Sequence, residues 1–138
     1  KHMETKIRDF IRKHDRLGLH LGVELLEVKK GYAKTKLVIR DCHLNGVGVV
    51  HGGTIFTLAD IAFAAASNSH GTIALAIHVD ISYLKGISEG TLYAEAKEVS
   101  CTPKLSSYDI KVTNEKEELI AIFQGMAYRK KDSILTDE

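Results

Sequence analysis

Between Asn45 and Asn68 the chain reads NGVGVVHGGTIFTLADIAFAAASN. The groups able to do chemistry there are few: Asn45, His51, the backbone at Gly52 and Gly53, and one carboxylate, Asp60. Asp60 is set among Leu58, Ala59, Ile61, Ala62 and Phe63. A charge in such company is costly to bury unless it has a partner or a task. Apolar neighbours also raise a carboxylate's pKa and make it a better base. Paired glycines at a helix entrance let backbone approach a ligand closely. They leave N–H groups unpaired at the positive end of the helix dipole. A base and a backbone anion site are two of the parts that attack on a carbonyl requires.

The elements around these residues follow from periodicity. Ile7, Phe10, Ile11 and His14 recur at helical spacing, which predicts a short amphipathic helix over 4–16. Gly18 and Gly22 break that pattern, and strands are expected at 22–29 and 32–40 around Lys30-Gly31. Residues 41–52 form a loop containing Gly46, Gly48 and Gly52. A helix apolar on nearly every side is predicted from Gly53 to Ser69, and such a helix belongs inside a protein. Strands follow at 74–84, 90–101, 105–113 and 118–128. In the first of them Leu75, Ile77, Val79, Ile81 and Tyr83 are expected on one face, with His78, Asp80 and Ser82 on the other. The order predicts an α+β domain over 4–130, a curved antiparallel sheet around one long buried helix, followed by a loose tail at 131–138. One sheet cannot cover every side of that helix, so a second copy of the chain is a natural source of the remaining cover.

Composition narrows the function. With 138 residues, 44% hydrophobic and 27% charged, the chain suits one globular domain. A net charge of +1, with no basic run beyond Arg129-Lys130-Lys131, gives bulk nucleic-acid binding little support. Cys42 and Cys101 stand far apart, without metal-ligand spacing, so no metal site is expected and a reducing compartment fits. Neither a signal peptide nor a membrane-spanning run is recognisable, and the cytoplasm is the expected location. Lys1-His2 reads as a remnant ahead of a native start at Met3.

The motifs Asn45-Gly46, His51-Gly52-Gly53, Leu58-Ala59-Asp60, Ala62-Phe63-Ala64 and Asn68-Ser69 together resemble the hotdog-fold acyl-CoA thioesterases, in their PaaI-like, phenylacetate-pathway branch. Asp80-Ile81-Ser82-Tyr83-Leu84 with Gly90, Tyr108-Asp109-Ile110 and Phe123-Gln124-Gly125 extend the likeness over nearly the whole chain. The resemblance implies a thioester hydrolase. In it Asp60 serves as general base or nucleophile, the Gly52 N–H polarises the thioester carbonyl, and Asn45 holds substrate or water. It implies no cofactor, coenzyme A being part of the substrate, and a homodimer, assembled further into a homotetramer, with coenzyme A in a groove between subunits. His51, Gly53, Lys85 and Lys104 are candidates for substrate binding, the lysines through the phosphates. For His51, fixing the loop by a backbone hydrogen bond is the simpler role.

Geometry adds an independent point. Eight residues separate Gly52 from Asp60, an axial rise of about 12 Å on one helix. A reacting carbonyl must lie about 3 Å from its donor and about as near its attacker. One chain cannot serve both, whereas two antiparallel copies of the helix can. Two rivals use the same fold. A hydratase needs Asp followed by His five residues on, but Asp60 is followed by Ala65, and Asp15 with His20 falls before the first strand. A non-catalytic acyl-CoA binder would hold ligand without turnover. A triad of His78, Asp80 and Ser82 is disfavoured, because same-face neighbours on a strand sit about 6.6 Å apart.

Overall fold

The structure, a computed structural model, describes residues 2–135. The chain opens with α1 (His2–His14) and α2 (Arg16–Leu21), followed by β1 (Glu24–Lys29) and β2 (Tyr32–Val38). A single 3-10 turn at Asp41–His43 leads to α3 (Gly52–Ser67). Four strands complete it: β3 (Thr72–Tyr83), β4 (Thr91–Cys101), β5 (Leu105–Asn114) and β6 (Leu119–Ser133). All pairings are antiparallel, in the order β1-β2-β4-β5-β6-β3. The sheet curves around α3, as the hotdog arrangement requires, and places Leu58, Ala59, Ala62, Ala65 and Ala66 against Ala33, Leu37, Leu92, Ala94 and Ile110 in one core. Alanines on both surfaces let helix and sheet approach closely.

Two contacts set the helix in place. Thr35, fully buried on β2, donates its hydroxyl to the Leu58 carbonyl at 3.0 Å. On the sheet, Gly125 lies under the Phe63 ring. A Cβ at that position would come within 2.7–2.9 Å of the ring carbons, so only glycine leaves room for the aromatic. Phe63 in turn contacts Tyr108 and Phe123 at ring-centroid distances of 5.7 and 5.9 Å.

Three features depart from the sequence-based expectation. First, α2 occupies a stretch expected to be broken by glycine. Asp15 caps it by accepting the Gly18 N–H at 2.9 Å, and Gly22 ends it in the left-handed region with φ 83°. Gly18 survives in the helix because a Cβ there would meet Ile61 Cδ1 at 2.8 Å. Second, β6 continues to Ser133, where it pairs with Thr72, and Ile134 and Leu135 pack against the core. Residues 131–135 of the expected loose tail therefore belong to the sheet and its margin, while 136–138 lie outside the described residues. Third, the β3–β6 register shifts between Ala76 and His78. The shift interrupts alternation. Val79 and Ile81 pack against the core, whereas Leu75 and Ile77 are 50% and 55% exposed rather than sharing that face.

Candidate active site

His51 caps α3. Its Nδ1 accepts the Gly53 N–H at 2.9 Å, and its own N–H donates to the His43 carbonyl at 2.8 Å. His43 anchors the loop in turn: Nδ1 accepts the Arg40 N–H at 2.8 Å, which leaves Nε2 to donate to the Leu21 carbonyl at 2.7 Å. Both ring nitrogens of this fully buried histidine are thus committed to backbone, so Cys42-His43 is a structural feature and not a ligand pair. With Gly53 engaged by His51, the Gly52 N–H is left without an acceptor among the described residues. That single free donor sits at the first position of α3, at the positive end of its dipole.

Tyr83 completes this mouth, although the sequence offered it only as a strand residue and as part of the Asp80–Leu84 stretch, with no role at the site. Its hydroxyl donates to the Gly52 carbonyl at 3.0 Å, and its ring lies 3.1 Å from where a Gly52 Cβ would stand. The contact spans 31 residues of chain. Gly52 and Tyr83 line a shallow cavity of about 290 Å³ with Val49, Ile55, Leu84 and Lys85. Lys85 is therefore at the mouth, although its ammonium is paired with Glu118 at 2.6 Å.

Asn45 is exposed, and its side-chain oxygen accepts the N–H groups of Val47 and Val49 at 3.0 and 3.2 Å. The carbonyl end of the amide thus folds the 45–49 loop, in the manner of a turn residue. Its NH2 group makes no hydrogen bond to the described residues. Lys104 lies elsewhere. The β5–β6 register pairs Leu105 with Tyr128, while Tyr83 pairs with Ala121. Seven residues of β6 separate the two levels, about 23 Å of strand. Within one chain Lys104 and Gly52 are at opposite ends of the sheet.

Asp60 projects from the third turn of α3, half-buried, with no hydrogen bond or ion pair among the described residues. Burial raises its carboxyl above the ordinary value of 3.8, and the neighbouring Asp15 charge pushes in the same direction. In the sequence Asp15 stands out only through its spacing from His20. The structure gives it two roles, capping α2 and facing Asp60. Gly52 and Asp60 do share one helix, so the axial separation of about 12 Å holds within a chain. His78, Asp80 and Ser82 are exposed on the outer face of β3, and no hydrogen bond joins them among the described residues.

A free amide at a helix entrance, together with an unpartnered carboxylate of raised pKa on the same buried helix, is a constellation for attack on an activated acyl carbon, held in a hotdog fold. The Thioesterase superfamily model matches residues 47–121, a stretch that carries the entrance, α3 and the edge strand. The chain belongs to the thioesterase superfamily and is a thioester hydrolase of the PaaI-like kind. It is 33% identical to "Acyl-coenzyme A thioesterase PaaI" of Escherichia coli, over 85% of this chain and 84% of that protein. A protein of Archaeoglobus fulgidus named "Putative esterase" is 48% identical over 92% of this chain and 83% of its own length. The solved structure of E. coli PaaI superposes with a TM-score of 0.91 at 29% identity, covering 96% of both chains. A Streptococcus mutans protein solved with bound acetyl-CoA matches with a TM-score of 0.76 at 27% identity, covering 80% of this chain and 90% of that one. Among the described residues no helix is long and apolar enough to cross a membrane.

Proposed function

We propose that the protein hydrolyses the thioester of an acyl- or aryl-acyl-coenzyme A to free acid and coenzyme A, at sites shared between two copies of the chain. The observation that carries this reading is the pairing of an unpartnered, half-buried Asp60 with an unused Gly52 N–H, too far apart in one chain to act on one carbonyl. The Gly52 N–H of one protomer holds the carbonyl oxygen as negative charge develops on it. Asp60 of the other either takes a proton from the attacking water or attacks the carbon itself, giving an anhydride that water then opens. The C–S bond breaks and the thiolate of coenzyme A leaves and is protonated. One backbone donor of this kind is worth about 10²–10³ in rate. The remaining Asn45 amide donors are available to hold the water or the acyl group, and His51 shapes the entrance.

Support for the dimer comes from the sheet's two edges. β1 is short and carries Glu24, Glu27 and Lys29, a guarded edge. β3 is 12 residues long and exposes Leu75 and Ile77 beside its free edge. Pairing two β3 edges antiparallel runs the two α3 helices in opposite directions and brings the Lys104 end of one chain toward the Lys85 end of the other. Both lysines then bear on one coenzyme A, contributed by different protomers.

The relative named for acyl-coenzyme A hydrolysis favours turnover over the hydratase and pure-binder alternatives, and the relative solved with acetyl-CoA supports the acyl-CoA ligand class. The test is release of free thiol from a panel of acetyl-, medium-chain, phenylacetyl- and hydroxybenzoyl-CoA. Turnover that disappears in Asp60→Asn, with binding retained, supports the reading. Tight binding without thiol release in the unaltered protein makes it a binder instead.

A further inference from the structure

At the other end of α3 from Gly52, about 24 Å along the helix axis, three side chains of different chemistry meet. His70 follows the helix, and Glu98 and Cys101 come from β4. His70 Nε2 lies 2.7 Å from Glu98 Oε1 and 3.9 Å from Cys101 Sγ. The nitrogen, carboxylate oxygen and sulfur are all within 4.8 Å of one another.

Several features of the fold produce this meeting. Residues three apart on a regular strand face opposite sides. The β4–β5 register shifts between Glu98 and Ser100, so Glu98 pairs with Tyr108 while Cys101 pairs with Ser106. The extra residue, Val99, returns Cys101 to the side of Glu98, the re-aiming that a bulge provides. Ser69 fixes the approach of His70: its hydroxyl accepts the Gly31 N–H at 2.7 Å and donates to the Ala66 carbonyl at 2.6 Å. Tyr108, 1% exposed, donates its hydroxyl to Glu98 Oε1 at 2.8 Å and holds the carboxylate from behind.

A nucleophile relay would use the two ring nitrogens for different partners, one for the acid and one for the thiol. Here Glu98 and Cys101 face the same nitrogen. Three donor atoms of different chemistry within 4.8 Å of one another suit a cation bound among them. We propose that His70, Glu98 and Cys101 form a binding site for one borderline-soft divalent cation of the zinc class, with a fourth coordination position open to solvent. Nitrogen, sulfur and a carboxylate oxygen together are a zinc ligand set, whereas magnesium and calcium favour oxygen alone. Tetrahedral zinc bonds place N and S about 3.6 Å apart and N and O about 3.4 Å apart. The N···S separation is within a few tenths of that. The His70–Glu98 hydrogen bond opens by roughly 0.7 Å to admit the metal, within reach of a ring or carboxylate rotation. Binding to neutral His70 moves its proton from Nε2 to Nδ1 and removes the Cys101 thiol proton, so one proton is released per ion. The carboxylate and thiolate balance the metal's two charges.

The test uses the whole chain stripped with a chelator. It is titrated with Zn²⁺ against a chromophoric chelator and with Co²⁺ followed by absorption. The expected result is one equivalent per chain and a thiolate-to-cobalt charge-transfer band in the near ultraviolet. Cys101→Ser, at an exposed position, removes the band and weakens Zn²⁺ binding by at least about 100-fold, and His70→Gln weakens it similarly. Tyr108→Phe weakens it by about 10–100-fold by freeing the carboxylate. Cys42→Ser changes nothing. A Co²⁺ spectrum without the thiolate band, or Zn²⁺ uptake equal in the parent, Cys101→Ser and His70→Gln proteins, overturns the proposal.

Discussion

Asp60 is in an environment that favours its neutral form, and this has opposite consequences for activity and stability. Both proposed roles need the carboxylate, so kcat/KM falls as pH drops through a pKa above 3.8. Asp15 adds to the elevation, and its side chain also caps α2. Asn caps as well as Asp but carries no charge. Asp15→Asn is therefore expected to move the acid limb of the pH–rate profile to lower pH with the fold intact, and an unmoved limb would show that the two charges do not communicate. For stability the sign reverses. Folded Asp60 holds its proton more tightly than the unfolded chain does, so stability declines as pH rises from about 3.8 through the raised value. Asp60→Asn should cut kcat by about 10²–10⁴, yet raise Tm at pH 7 by removing a poorly solvated charge. That gain should vanish in scans near pH 3. At this scale the sequence revealed Asp60 and the glycine pair, because a charge and two glycines inside an apolar run violate the local pattern. Tyr83 and Asp15 violate nothing locally. Their roles come from contacts made only after β3 and α2 have folded against α3.

Among the elements, α3 and the strands were legible because their apolar residues repeat at periods of 3.6 and 2. The six-residue α2 was not, since it contains Gly18 and is held by a cap and by packing on Ile61 more than by propensity. The two bulges in β3 and β4 were equally invisible: an inserted residue changes which face a side chain takes without altering composition. Close packing between elements provides a direct stability test. Gly125→Ala introduces a Cβ against the Phe63 ring and should cost about 1–3 kcal/mol. Urea titration measures it. A midpoint equal to that of the parent would mean that α3 is free to lift from the sheet, and the alignment of Asp60 with the entrance would lose its basis.

For the whole molecule, the proposed dimer rests on an exposed edge, since one chain already covers the apolar residues of α3, with Ile55, Leu58, Ile61 and Phe63 all 5% exposed or less. β3 offers unpaired backbone flanked by Leu75 and Ile77, a pairing surface that β1, with its charges, does not match. Ile77→Arg places a charge at that edge. It should shift the protein to monomer in light scattering and abolish thioester hydrolysis, although residue 77 touches neither Gly52 nor Asp60. A fully active monomer would contradict shared sites.

Complementation between defective copies tests the sharing most directly. Asp60→Ala removes the carboxylate, and Gly52→Pro removes the N–H at a first helical position that proline tolerates, the Tyr83 ring shifting to admit it. Each variant alone should be inactive on acyl-CoA. Hybrids isolated through two different tags should recover one working site per dimer, because one of the two sites then joins an intact Asp60 to an intact Gly52. Hybrids of verified composition that release no thiol would show that base and amide do not act across the interface.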